Sequence, residues 1–166
     1  CFETAGAAAD QDDDLRGLDA KAGEALLRLG RHAEARMRLE RAVEAAPDEP
    51  RLVTFLGDAL FGANRTAAAA DCYRRALAID ADDPVAHHKL AVTLFLVGRA
   101  ADALRHDLHA LRSRDDYREA MHSASLAMLE LGRWRDARGM LDRALRSDPE
   151  NADLLRLRKQ ILYLRV

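Results

Sequence analysis

The segments LGRHAEA, GANRTAAAA, LVGRAADA and LGRWRDA bring Gly30, Asn64, Gly98 and Gly132 into one column, each 34 residues after the last. Arg31, Arg65, Arg99 and Arg133 fill the next column. Two more columns hold only alanine, at Ala35, Ala69, Ala103 and Ala137 and at Ala42, Ala76, Ala110 and Ala144. A fixed period of this length means that one short supersecondary unit is repeated, so any fold without internal repetition is excluded. Each unit must also bury its apolar face against its neighbours, because one unit is too small to do so alone.

Each unit reads as two helices. A Gly or Asn column tolerates the left-handed conformation that ends a helix and turns the chain. Pro47 and Pro149 close the first and fourth units, and Pro50 and Pro84 open the second and third, where a helix has stopped or is about to start. First helices are expected near 17–29, 51–63, 85–97 and 119–131, and second helices near 33–46, 67–80, 101–113 and 135–147. The first helices carry apolar columns, Ala22/Leu56/Leu90/Ala124 and Leu26/Leu60/Leu94/Met128, interrupted by the small column Gly23/Gly57/Ala91/Ser125. Small residues there, and the alanines of the second helices, let paired helices approach closely. Aromatics make up only 5% of the chain and charged residues 33%, a balance that favours helices over sheets.

With four in-phase columns of Gly/Asn, Arg and Ala, the chain resembles the tetratricopeptide repeat family. The resemblance implies an all-α fold, an α-solenoid of helix-turn-helix repeats wound into a right-handed superhelix. Its expected repeats are 16–49, 50–83, 84–117 and 118–151. Residues 152–166 continue the phase as a capping or continuing helix, apolar over a wide arc at Leu154, Leu155, Leu157, Ile161, Leu162, Leu164 and Val166. That arc would serve further repeats or self-association. Residues 1–15 form an acidic arm or a frayed helix; their five acids and absence of bases leave the rest of the chain at +3 against a whole-chain charge of -2. The arginines are spread over several helices, which argues against nucleic acid as a partner.

The same resemblance implies that the first helices line a concave groove that takes a peptide or helix of a partner protein. Residues three and four apart share a helix face, which gives the groove columns Ala20/Thr54/His88/His122, Glu24/Asp58/Val92/Leu126 and Leu27/Phe61/Phe95/Leu129. The expected peptide-binding residues are Thr54, Asp58, Phe61, His88, Lys89, Val92, Phe95, His122, Leu126 and Leu129. The aromatic column also has a packing role open to it, between neighbouring first helices. Some family members grip a C-terminal carboxylate with Lys, Asn and Arg, but here those positions fall on Ala20, Glu24, Phe55, Val85 and Lys89. One unit later they fall on Thr54, Asp58, Lys89, Glu119 and Ser123. Only Lys89 fits, and the acids would repel a carboxylate.

One stretch breaks the pattern. In LRHDLHAL, residues 104–111, Asp107 occupies the column of Leu39, Tyr73 and Leu141. A local polar contact with a His or Arg is expected there, since a buried unpaired acid is costly. His109 shares the column of Arg41, Arg75 and Arg143 and is expected to face solvent, while Asp102, His106 and His109 share one helix face. Neither that trio nor the His88/His122 pair brings second-shell partners, so no metal or other cofactor is expected.

Catalytic motifs are missing from the sequence: it has no phosphate loop, no nucleophile elbow and no clustered Cys/His ligands. The expected function is therefore a non-catalytic protein-interaction scaffold. Two alternatives stay open, the repeat region of a larger enzyme such as a glycosyltransferase or sulfotransferase, and a bacterial secretion chaperone. No apolar stretch approaches the ~18 residues needed to cross a bilayer, so no membrane span is expected. The first residue, Cys rather than Met, is expected of a processed or excised chain; the compartment stays open, with the cytoplasm favoured and Cys1 leaving a periplasmic lipoprotein as the alternative.

Overall fold

A computed structural model describes residues 17–163. The expected acidic arm at 1–15 lies outside the described residues, as do Leu164 and Val166. The chain divides into two compact units, one up to Ala81 and one from Asp82 onward. The first holds α1 (residues 17–28), α2 (His32–Ala45), α3 (Pro50–Gly62) and α4 (Thr66–Ile79). The second holds α5 (Pro84–Leu96), α6 (Ala100–Ser113), α7 (Arg118–Glu130), α8 (Trp134–Ser147) and α9 (Ala152–Tyr163). No strand occurs among the described residues.

Most helices start and end about one residue earlier than the sequence suggests. Pro50 and Pro84 lie inside their helices at the first position, where the missing N–H is not needed. The turn within each pair is the same four times over. Gly30, Gly98 and Gly132 have φ of 70°, 77° and 72°, and Asn64 has φ 60°. The following Arg N–H then reaches back to the fifth residue before it: Arg31 to Leu26 O, Arg65 to Leu60 O, Arg99 to Leu94 O and Arg133 to Met128 O, at 2.8 to 2.9 Å. These bonds satisfy carbonyls that the helix end would leave unpaired.

The same arginines precede the next helix, and three of them bind an acid in its first turn. Arg31 pairs with Glu34, Arg99 with Asp102 and Arg133 with Asp136. An acid there also sits well against the helix dipole. Arg75 donates to Pro47 O and Arg143 to Asp115 O, tying second helices to the loop before their own pair.

The two helices of a pair approach closely at the small column. A Cβ on Gly23 would stand 2.6 Å from Leu39 Cγ, and one on Gly57 2.5 Å from Tyr73 Cε1. Leu39 and Tyr73 are almost wholly buried by this contact. In the first unit the core gathers Ala35, Leu39 and Ala59 with Leu26, Leu27, Phe55 and Leu56 around them. In the second, Ala120, Ala124, Ala127, Ala137, Leu141 and Ala144 are fully buried, and Leu154, Leu157 and Ile161 of α9 close over the same cluster. Leu155, expected within the apolar arc of α9, is 40% exposed.

Gly57→Ala should therefore cost about 1–3 kcal/mol, because Tyr73 must move. Gly139→Ala, in α8 with nothing within 4 Å of the new methyl, should gain about 0.5–1 kcal/mol from helix propensity. Urea titrations of the two variants check this, and losses of equal size would contradict the close-packed register.

Candidate functional site

In the second unit α5 and α7 are the first helices of successive pairs and run the same way, with α6 between them in the chain. Their facing sides enclose a cleft of about 350 Å³ lined by His88, Val92, Phe95, Leu96, Glu119, His122, Ser123 and Leu126. Five of the expected groove residues, His88, Val92, Phe95, His122 and Leu126, are thus brought together. Leu96, Glu119 and Ser123 were not expected. Phe95, Leu126 and Leu129 also pack against the core of this unit, so the aromatic column has a structural role as well. Leu129 and Lys89 lie outside the cleft lining.

A smaller polar cleft of about 210 Å³ adjoins it, sharing Glu119 and His122 and adding Arg118, Asn151, Asp153 and Leu154. Arg118 is directed at Asp148, 2.8 Å away, and lies 4.0 Å from Glu119.

In the first unit Thr54 is buried, its hydroxyl donating to Pro50 O. Asp58 accepts a 2.8 Å hydrogen bond from the Tyr73 hydroxyl. Burial, together with that carboxylate, pushes the Tyr73 phenol upward. Phe61 is half-buried near the end of α3. None of these three lines the cleft of about 380 Å³ beside α1 and α3, which is built from Gly17, Ala20, Lys21, Glu24, Glu49, Arg51, Leu52 and Phe55.

The irregular residue of the third repeat proves to face this site. Asp107 is fully buried on α6, and its Oδ1 lies 2.9 Å from Nδ1 of His88 on α5. The expected polar contact thus crosses between paired helices. Its Oδ2 has no hydrogen-bond partner among the described residues. Burial pushes the Asp107 carboxyl above its usual range, and His88 and the nearby Ser123 hydroxyl pull the other way without cancelling it. While Asp107 is ionised it accepts from Nδ1–H, so Nε2 of a neutral His88 is left as an acceptor. His88 also meets the Tyr117 ring edge-on, at 5.1 Å between centroids.

The other histidines of LRHDLHAL turn elsewhere. Nδ1 of His106 is 3.0 Å from Nδ1 of His87, so one ring donates and the other accepts. His109 is exposed and stacks on His87 at 5.1 Å. Asp102, on the same helix face as both, is held by Arg99 and Arg105, whose hydrogen bonds keep its carboxyl low. Burial, helped by His87, brings His106 down to about 4. No group of three or more His, Cys, Asp or Glu among the described residues is placed to hold a metal ion. None of the described helices is long and apolar enough to cross a membrane.

Comparison with known proteins gives a consistent picture. A family model described as tetratricopeptide repeat matches residues 20–84 and 122–165, more than half of the chain, and a second of the same description matches 84–106. No curated protein matches. Among solved structures, pilF of Pseudomonas aeruginosa has a TM-score of 0.83 at 20% identity, over 91% of this chain and 69% of its own. YrrB, described as having an unusual peptide-binding site, scores 0.75 at 15% identity over 89% and 76%. The first such repeat domain of Spaghetti (RPAP3), bound to the HSP90 peptide SRMEEVD, scores 0.69 at 21% over 70% and 92%. These likenesses show the fold, an all-α helical repeat solenoid.

Two stability tests follow from the buried pairs. A carboxyl raised in the folded state binds protons more tightly there, so its contribution to stability falls as pH rises through the folded pKa. Asp107→Leu, which restores the residue of the first and fourth repeats, should raise Tm by a few degrees at ~pH 8, with the gain shrinking towards ~pH 4. A clear loss of Tm at the higher pH would contradict this. His106 has the opposite sign: a depressed imidazole contributes stability above the unfolded value of about 6.5 that is lost as pH falls towards 4. His106→Met, which places there the residue of the fourth repeat, should therefore lose less Tm than the parent chain between ~pH 7 and ~pH 5.

Proposed function

The chain belongs to the tetratricopeptide repeat family, and from that premise we propose that it is a non-catalytic scaffold binding a peptide or helix of a partner protein along its first helices. One observation carries this reading: an open cleft between α5 and α7 has Val92, Phe95, Leu96 and Leu126 as an apolar wall and His88, Glu119 and His122 as polar groups at one end. Apolar sites of a few hundred Å³ with a few placed polar groups are the form that ligand sites take. In this reading His88, Lys89, Val92, Phe95, His122, Leu126 and Leu129 serve the second unit, and Thr54, Asp58 and Phe61 serve the first. Peptide binding by the Spaghetti domain and by YrrB supports the reading by likeness of fold.

Peptides selected from a random display library test this. Leu96 is 62% exposed, so Leu96→Asp leaves the fold intact while placing a charge on the apolar wall. It should weaken a selected peptide about tenfold, the scale expected for losing one apolar anchor. Arg105→Glu, an exposed change on α6, should leave the affinity unchanged. Equal effects of the two would sink the assignment to this face.

A further inference from the structure

The cleft between α5 and α7 is graded along its length. Both helices run the same way, so residues early in each lie at one end and later residues at the other. His88, Glu119, His122 and Ser123 come first, and Val92, Phe95, Leu96 and Leu126 follow. The step from His88 to Val92 is one helical turn, about 6 Å. A ligand side chain lying along the cleft therefore needs an apolar stem of that length and a polar head.

The polar end is an acceptor end. Glu119 stands there with 57% of its side chain exposed, and Arg118, 4.0 Å away, makes its close bond to Asp148. Nδ1 of His88 lies 2.9 Å from the buried Asp107 carboxyl, and a neutral ring that donates to it there has Nε2 as an acceptor. The buried Asp107 carboxyl stands behind the ring. Lys89, the residue after His88, is not among the residues lining the cleft.

Resting on the reading of this face as a peptide site, we propose that the cleft is a pocket for a long cationic side chain, arginine or lysine, of the bound peptide. The methylene stem lies against Val92, Phe95 and Leu126, and the charged head meets Glu119 and Nε2 of His88. Such side chains bury their stems on apolar surface and keep the head among polar groups. A carboxylate head would face the Glu119 carboxylate, and a purely apolar side chain would strip water from Glu119 without replacing it. Asp107 is a positioning residue in this scheme, holding the ring of His88 so that an acceptor is presented.

The test uses peptides selected against the whole chain from a random display library and remade with a fluorescent label. Selected sequences should share an arginine or lysine, and with arginine at that position its replacement by citrulline, which keeps the shape and removes the charge, should weaken binding about fivefold at low salt. Glu119→Gln should weaken the arginine peptide by a similar factor and leave the citrulline peptide unchanged. Asp107→Asn should narrow the gap between the two peptides, which a merely structural role would not do. Equal binding of arginine and citrulline forms, or selection of acidic or wholly apolar peptides, would overturn the cationic pocket and leave the peptide site standing. If no selected peptide distinguishes the parent chain from the Phe95→Ser, Leu126→Ser double variant, confirmed folded by circular dichroism, the peptide site fails and the pocket with it.

Discussion

The fold rests on how closely the two helices of each repeat can approach. Leu39 sits where Gly23 has no side chain, and Tyr73 sits likewise on Gly57, with space too small for even one added methyl group. At such a distance a large residue on one helix requires a small one on the other. The small and alanine columns follow from this, and so does the tight turn. Helices pressed together need a short reversal, and the left-handed Gly or Asn with its backward Arg N–H bond provides one.

The third repeat departs from that rule and uses the departure. Ala91 stands in the small column, and Asp107 replaces the large apolar partner. The fold loses an apolar contact and takes on a buried acid. In return, the ring of His88 is fixed on the face where α5 meets α7. A structural column has thereby been converted into support for a surface residue. The neighbouring His87, His106 and His109 belong to a separate contact with no share in the cleft.

The period, the left-handed column, the helix pairs and the alanine packing were legible in the sequence, because backbone geometry and close approach impose residue types on fixed positions. The helix starts were read about one residue late, since a proline marks a boundary without saying on which side of it the first turn begins. The partner of Asp107 was not read. A signal for it existed: Leu39 meets Gly23 and Tyr73 meets Gly57, each 16 residues earlier, so the neighbours of Asp107 lie one turn around Ala91, where His88 is the polar choice. Glu119, Ser123 and Leu96 were missed for a different reason. The columns were taken one helix at a time, whereas the cleft lies between two helices and collects their adjoining edges. Thr54, Asp58 and Phe61 share columns with cleft residues but lie in the other unit, where Asp58 is spent on Tyr73.

The central claim is that ligand recognition along the first helices uses the cleft between α5 and α7. The most direct measurement is a methyl-labelled nuclear magnetic resonance titration of the whole chain with a display-selected peptide. The account predicts that the largest shifts fall on Val92, Leu96 and Leu126, with Leu108 of α6 and Met140 of α8 unmoved. Largest shifts on Leu108 and Met140, with the α5 and α7 methyls silent, would contradict it.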